Sequence, residues 1–205
     1  MTRDEFERRY EAMPELKKAE LIEGVVYVPS PTRAKQHSSP HAKFMGWLCL
    51  YEASTPGVEA LDNATVRLGS ENEPQPDGAL RVAPEHGGRS RTSEDDYVEG
   101  PPELAVEVAA SSASYDLHEK LRAFERHGIL EYVVYRVREK AIDWFRLVDG
   151  TYQRLAPDPA GVYRSLAFPG LWLDARAMIR GDLPRVLEAL SEGLKTAEHA
   201  AFVEK

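Results

Sequence analysis

The spacing of apolar residues along the chain predicts four helices. In residues 39–54 the aromatic and leucine side chains recur every three or four positions, which is the repeat of a helix with one buried face. Pro40 fits the start of that segment, because the first turn of a helix tolerates proline. The same repeat predicts helices over residues 2–12, 39–54, about 114–127 and 183–202.

Runs of apolar and β-branched residues between these helices predict strands. Glu23-Gly24 and Asp149-Gly150 each separate two such runs and indicate tight hairpin turns. Residues 84–102 are rich in Gly, Pro and acids, which predicts a long polar loop. We expect an α/β fold with a mixed central β-sheet flanked by helices. The predicted strands lie within residues 19–28, near 58–68, and at 75–82, 104–110, 129–137, 141–147 and 151–155.

Composition indicates a folded protein that does not span a membrane. The 205 residues suffice for one domain with its own core, and 42% hydrophobic beside 29% charged residues is ordinary for a globular chain. No run approaches the roughly 18 apolar residues of a spanning helix, and the first residues lack the apolar segment of a signal peptide. The single cysteine, Cys49, excludes an internal disulfide, and we expect it in the core. These features predict a cytoplasmic protein.

Charge limits how the chain could bind nucleic acid. The formal net charge is −8, so the overall field repels a polyanion, and binding would need a local cationic groove or a bound metal. Residues 33–43 carry basic side chains and no acid, and they end at a predicted helix N-terminus, which favours phosphate. Arg33, His41 and Lys43 are therefore candidates for contact with a substrate backbone. The alternative is a solvated loop with a satisfied histidine.

Glu107 is the first candidate for chemistry, because it interrupts the most apolar strand. An ionised carboxylate in a buried strand costs several kcal/mol unless it is paired, hydrogen-bonded or bound to a metal. Alternation along the strand places Glu107 on the face of Ala105 and Ala109, opposite the bulkier Leu and Val residues. The alternative is an exposed strand face on which Glu107 pairs with a Lys or Arg.

Asp77 and Lys120 are the next candidates. Asp77 follows Pro76 at a predicted strand start, where a side chain can point into a cleft, although Pro-Asp-Gly is also common turn chemistry. Lys120 lies on the helix after the Glu107 strand, at the edge of its apolar stripe when each residue turns by about 100°. It can return over the sheet toward Glu107, or pair on the surface with Asp116 one turn earlier.

These residues together resemble the PD-(D/E)XK nuclease superfamily and, more narrowly, the Uma2 family of restriction endonuclease-like proteins. The usual superfamily lysine lies two residues after the acid, where this chain has Ala109; the chain resembles variants with the lysine on the following helix, which is Lys120 here. The similarity spans about residues 15–175. It is carried by Glu20-Leu21-Ile22-Glu23-Gly24, Gln75-Pro76-Asp77, Pro102-Glu103-Leu104-Ala105-Val106-Glu107-Val108, Asp116, Lys120-Leu121 and Phe168-Pro169-Gly170-Leu171.

The resemblance implies a restriction-endonuclease-like fold and a Mg²⁺-dependent endonuclease acting on DNA. Asp77 and Glu107 would bind the ion, for which Mn²⁺ is also suitable, and Lys120 would orient the attacking water or stabilise the transition state. Glu20 is a weaker candidate for an accessory acid, because its hairpin position also explains it. We assign residues 1–180 to the nuclease domain and 181–205 to a C-terminal amphipathic helix. We expect this helix to pack on its own domain, and the alternative is that it pairs with a second copy to form a homodimer.

Other chemistries are less well supported by the sequence. Two rivals remain: a nuclease-fold binding or regulatory module without turnover, and a hydrolase of small phosphodiesters. His37 and His41 are four apart, but Pro40 between them argues against a metal site on one helix. Ser111 and Ser112 precede a helix and are interpreted as capping residues, since no nucleophile elbow surrounds them. Phosphate-binding glycine loops are absent from the sequence.

Overall fold

The computed structural model describes residues 1–110 and 113–204 and confirms the α/β class. The predicted capping residues Ser111 and Ser112 lie outside the described residues. A single π-helical turn at Ala34–Ser38 precedes the helix Ser39–Ala53. A second π-helical turn, Asp116–Lys120, connects the helices Ala113–Tyr115 and Leu121–His127. The helices are α1 (Arg3–Glu11), α2 (Ser39–Ala53), α3 (Ala113–Tyr115), α4 (Leu121–His127), α5 (Ala175–Arg180), α6 (Leu183–Gly193) and α7 (Ala197–Val203).

The strands form one large mixed sheet and three small ones. The large sheet has the order β11-β10-β9-β8-β5-β3, in which β8 and β9 run parallel and all other neighbours are antiparallel. The small sheets are β1-β2, β12-β13 and β4-β7-β6. The strands are β1 (Glu20–Ile22), β2 (Val25–Tyr27), β3 (Val58–Asp62), β4 (Val66–Arg67), β5 (Gly78–Val82), β6 (Arg91–Thr92), β7 (Val98–Glu99), β8 (Leu104–Ala109), β9 (Glu131–Arg136), β10 (Ala141–Val148), β11 (Thr151–Arg154), β12 (Val162–Arg164) and β13 (Trp172–Asp174).

A separate hydrophobic cluster covers each face of the large sheet. Leu104, Val106 and Val108 of β8 belong to the larger cluster, into which α2 and α6 also pack. Ala105 and Ala109 point to the other cluster, beneath α4. The alternation predicted for this strand is confirmed, and the small alanines leave room beside Glu107 on their face.

Helix α2 buries the face that its periodicity predicts. Its four predicted core residues are at most 1% exposed, and burying a large side chain of this kind contributes roughly 1.5–3 kcal/mol. The buried indole and phenol are also hydrogen-bonded: Trp47 Nε1 donates to Trp172 O at 2.9 Å and Tyr51 Oη to Pro169 O at 2.9 Å. These bonds connect α2 to the C-terminal part of the fold. The four residues are Phe44, Trp47, Leu48 and Tyr51.

The predicted turns adopt the backbone that their sequences favour. Glu23 and Gly24 have φ of 52° and 74°, and Asp149 and Gly150 have φ of 48° and 79°. Two successive residues in this left-handed region make the turn that joins strands with the natural twist. Glu23 therefore serves the β1–β2 turn.

Three expectations are corrected. Cys49 is exposed, because it lies on α2 away from the buried aromatic face. Residues 84–102 are not only loop, since β6 and β7 pair with β4 there. The helix predicted over 183–202 is two helices, α6 and α7, because a second N-cap begins at Thr196, whose Oγ1 accepts the His199 N–H. In the described part of the chain, no helix is long and apolar enough to cross a membrane.

Candidate active site

The predicted site residues Glu20, Asp77, Glu107 and Lys120 are brought together by separate elements. Glu107 lies in the middle of β8, Asp77 immediately before the adjacent β5, and Lys120 at the end of the π-helical turn before α4. Strands β5 and β8 are antiparallel with Gly78 opposite Val106, so Asp77 comes level with Glu107. Lys120 contacts the side chains of Glu20 and Glu107, and the Asp77 carboxylate lies against the Val108 N–H, next to Glu107 in the chain.

Lys120 is the centre of the cluster. It is 2% exposed, and its Nζ donates to Glu107 Oε1 at 2.7 Å and to Glu20 Oε1 at 2.8 Å. The alternative of a surface ion pair with Asp116 is wrong, because Asp116 is itself buried. The other alternative, a return of Lys120 over the sheet toward Glu107, is the one that the structure shows. Lys120 ends a π-helical turn, which has more residues per turn than an α-helix.

Glu107 is buried at 6% exposure, so the alternative of an exposed strand face is also wrong. Its Oε1 accepts the Lys120 bond. Among the described residues, no hydrogen bond is donated to its Oε2. Glu107 therefore has one charged partner and one oxygen available to a ligand.

Asp77 is held by one main-chain and one side-chain donor. Its Oδ2 accepts the Val108 N–H at 2.8 Å and a bond from His37 Nε2 at 3.1 Å. Because Val108 directly follows Glu107, the Asp77 carboxylate lies beside the Glu107 backbone. Within the described ranges, nothing donates a hydrogen bond to Asp77 Oδ1.

The electrostatics of the site follow from burial and paired charge. Burial acts to raise the pKa of Asp77, but hydrogen bonds from His37 and Val108 outweigh it and lower this pKa below its ordinary value. Burial likewise acts to lower the pKa of Lys120, yet Glu107 and nearby acids raise it well above its usual range. Burial raises the pKa of Glu107, and Lys120 opposes that effect. The directions of these two pKa shifts favour the ionised forms of Asp77 and Lys120.

Glu20 links the cluster to the chain before Asp77. Besides the Lys120 bond, its Oε1 accepts the Gln75 N–H at 2.6 Å. This places it against both the lysine and the segment that leads into β5. Its part as an accessory acid stays a prediction.

Of the basic candidates in residues 33–43, Arg33 and Lys43 lie at the surface and His41 lies at the site. Arg33 is exposed, and Lys43 is half-buried with its Nζ donating to Ser39 Oγ at 2.8 Å. His41 Nε2 instead contacts the main-chain O of Asp77 at 2.8 Å and Asp62 Oδ1 at 3.0 Å. His41 thus has hydrogen-bonding partners at the site. Contact of Arg33, His41 and Lys43 with a substrate backbone stays a prediction.

Sequence reasoning missed His37 as a partner of Asp77. The feature of the sequence that could have indicated His37 is the spacing of His37 and His41, which lie four residues apart. The sequence analysis discounted a shared site for the two because Pro40 lies between them. His37 lies in the π-helical turn Ala34–Ser38, before the proline, and His41 follows Pro40 in α2. The two rings lie 5.7 Å apart between centroids. Both histidines reach Asp77.

The oxygen donors fit Mg²⁺ better than a metal that needs an all-protein cage. In residues 1–110 and 113–204, no group of three or more His, Cys, Asp or Glu side chains is arranged to hold a metal ion. Mg²⁺ commonly takes one or two carboxylates and completes its six ligands with water and substrate phosphate. Asp77 Oδ1 and Glu107 Oε2 are the carboxylate oxygens that would serve such an ion.

Comparison with known proteins agrees with the resemblance seen in the sequence. The model of the Uma2 family, described as "Putative restriction endonuclease", matches residues 3–176. The chain belongs to the Uma2 family. This Uma2 chain is similar in structure to a protein from Anabaena variabilis ATCC 29413, described as "a putative nuclease belonging to DUF820". The identity is 16%, the alignment covers 87% of this chain and 99% of the other, and the TM-score is 0.61, which shows a shared fold. No curated protein matches the Uma2 chain.

Proposed function

We propose that this Uma2 protein is a metal-dependent endonuclease that hydrolyses DNA phosphodiester bonds at Asp77, Glu107 and Lys120. The observation that carries the proposal is that three segments distant in sequence converge: Lys120 Nζ contacts Glu107 Oε1, and Asp77 Oδ2 accepts the amide next to Glu107. Keeping two buried acids and a lysine together is costly for a fold alone. The family description and the nuclease description of the similar structure support this reading.

Asp77 and Glu107 would hold Mg²⁺, and Mn²⁺ suits the same oxygens. When bound, the ion supplies charge neutralisation at the phosphoryl oxygens and lowers the pKa of a coordinated water. Asp77 stays ionised because its donors oppose burial, so it can accept a cation without first losing a proton. The metal and these roles are part of the proposal.

Lys120 would act on the water or on the transition state. An ammonium group has three N–H bonds, and two of them are used by Glu20 and Glu107. Elsewhere in the described chain no acceptor is hydrogen-bonded to Nζ. The third N–H is therefore available to orient the attacking water or to stabilise the charge that develops on the phosphoryl oxygens.

Arg33 and Lys43 would contact the DNA backbone beside the site. They lie within ten residues of His37 and His41 in the chain, and the side chains of those two histidines reach Asp77. Such contacts would lower the cost of bringing a polyanion to a chain of net charge −8.

The acidic net charge favours a second candidate, a hydrolase of small phosphodiesters, because a small substrate makes few contacts with the surface. The same cluster would perform the same chemistry. The two candidates differ in the contribution of Arg33 and Lys43 to hydrolysis. Replacing these two residues should lower the rate of DNA cleavage and leave the rate of hydrolysis of small phosphodiesters unchanged.

Supercoiled plasmid incubated with the protein and Mg²⁺ tests the proposal. We expect nicked and linear products that EDTA and Glu107→Ala each abolish. A chromogenic phosphodiester run in parallel separates the two candidates. If neither substrate is hydrolysed with Mg²⁺ or Mn²⁺ while the protein remains folded, the endonuclease proposal is wrong and a module without turnover is the better reading.

A further inference from the structure

The carboxylate of Asp77 is oriented through only one of its oxygens. Its Oδ2 accepts two hydrogen bonds, from Val108 N at 2.8 Å and from His37 Nε2 at 3.1 Å. Two donors on one oxygen fix the rotation of the carboxylate about its last bond. The fixed rotation reserves Oδ1 for a ligand.

The backbone of the same residue is held by the next histidine. His41 Nε2 donates to Asp77 O at 2.8 Å and also lies 3.0 Å from Asp62 Oδ1. One turn of helix therefore fixes Asp77 twice, His37 through the side chain and His41 through the main chain. His41 would keep its bond if the Asp77 side chain were removed, whereas the His37 bond depends on that side chain.

We propose that His37 is a positioning residue for Asp77 that raises the affinity of the site for a divalent cation. His37 donates its Nε2–H to Oδ2 and does not itself bind the metal. This inference rests on the proposed metal-dependent function, and it assigns a role to a residue that the motif of acids and lysine does not contain.

The physical reason is the conformational entropy that a metal-binding carboxylate loses. A carboxylate that rotates freely loses this entropy when it binds a cation. Hydrogen bonds that fix its orientation in the metal-free protein reduce that loss. The side chain of Asp77 is 7% exposed, so water offers it little alternative hydrogen bonding. Loss of the outer hydrogen bond to a metal ligand commonly weakens metal binding by about 10- to 100-fold.

Mn²⁺ binding to the metal-free protein, followed by the paramagnetic resonance signal of free Mn²⁺, tests the inference without DNA or turnover. His37→Leu removes the donor at similar volume, and His37→Gln keeps an N–H of similar reach. We expect His37→Leu to raise the Kd for Mn²⁺ about 10- to 100-fold and His37→Gln to recover most of that loss. The exposed His118 provides a matched control, and His118→Leu should bind as the wild type does.

The variant Asp77→Ala tests whether His37 changes the affinity for Mn²⁺ through Asp77. Because His37 acts through Asp77, adding His37→Leu to Asp77→Ala should change the Kd no further. If His37→Leu does not fold, His37→Ala is used with the same two comparisons.

The outcomes separate this inference from the proposed function. Wild-type protein that binds Mn²⁺ with His37→Leu unchanged overturns the positioning role and leaves the metal centre intact. An unchanged Kd with slower DNA cleavage also overturns it, because His37 would then act on substrate. Wild-type protein that binds no Mn²⁺ contradicts the metal centre and this inference together.

Discussion

Glu107 on β8 and Glu131 on β9 are both buried, at 6% and 1% exposure, on neighbouring parallel strands, but they are held by different kinds of partner. Glu107 accepts from the charged Lys120 through one oxygen. Glu131 is surrounded by neutral donors on both oxygens. Its four bonds come from Trp144 Nε1, Ser165 Oγ, Leu166 N and Ala167 N, at 3.2, 2.7, 2.7 and 3.2 Å.

The partners of Glu131 indicate a structural carboxylate. Two of them are main-chain amides of the segment before β13, so the side chain ties that segment to the central sheet. Burial raises the pKa of Glu131, and these hydrogen bonds oppose the rise. No cation within the described residues is bonded to it, and both oxygens are occupied.

A buried acid of the framework differs from a buried acid of a site in what occupies its two carboxylate oxygens. Fixed dipoles on both oxygens leave no position for a ligand, whereas a single ammonium leaves one oxygen available and can be shared with other acids. Both glutamates satisfy the rule that buried charge must be compensated. Only the type of partner distinguishes their roles.

The largest expected effect is the loss of hydrolysis in Glu107→Gln. Removing a metal carboxylate should lower the rate of Mg²⁺-dependent cleavage by about 10³-fold or more, equivalent to several kcal/mol of transition-state stabilisation. Thermal stability should remain unchanged or rise, because Lys120 keeps Glu20 as a partner. Plasmid cleavage and thermal melting measure the two effects. Strong unfolding would instead make Glu107 structural and remove the contrast with Glu131.

Replacement of Lys120 by Met should cost stability. It leaves Glu20 and Glu107 buried without their shared counter-charge, for which about 3–5 kcal/mol is expected. Urea unfolding measures the loss. Adding Glu107→Gln to Lys120→Met should restore part of it, since one of the uncompensated charges is then removed. A double variant no more stable than the single one would argue against the charge pairing.

Glu131→Gln should show the opposite pattern to Glu107→Gln. An amide nitrogen would face donors that require an acceptor, which should destabilise the fold by about 2–4 kcal/mol. Cleavage per folded molecule should stay near that of the wild type at a temperature where the variant is folded. Calorimetry and the plasmid assay check both parts, and a folded but inactive variant would contradict the structural assignment.

The smallest expected effect concerns pH and a third buried acid. Burial, with a hydrogen bond to Glu7, raises the pKa of Glu73 to about 8 from its ordinary 4.5. Its neutral form is favoured in the folded state, so the stabilisation is complete below about pH 4.5 and is lost as the pH rises through about 8. We expect this loss to be on the order of 1–3 kcal/mol.

Glu73→Gln should flatten the fall in Tm between pH 5 and about 8.5 and raise the Tm at the upper end, because the amide stays neutral. The exposed Glu71 gives the control variant Glu71→Gln, which should melt like the wild type at each pH. An equal slope in wild type and Glu73→Gln would show that Glu73 is ionised throughout, as a salt-bridged acid would be.

The fold was largely accessible from local patterns. The alternation along β8 placed Glu107 with the alanines, and the hairpin turns at Glu23-Gly24 and Asp149-Gly150 were predicted from the dipeptides themselves. The prediction that Cys49 lies in the core was wrong, because it was based on the residue type and not on the angular position of Cys49 around α2. The helix predicted over 183–202 failed at Thr196, whose capping bond competes with helix continuation.

The α/β architecture, the family and the unusual acids could be recognised in the amino-acid sequence, because periodicity and turn preference act between residues close together in the chain. The contacts of Lys120 with Glu20 and Glu107, and of His37 with Asp77, became visible only in the folded molecule. Both contacts depend on π-helical turns and on pairing between strands far apart in sequence. One extra residue in a turn rotates a side chain to another face, and no local pattern in this chain reveals it.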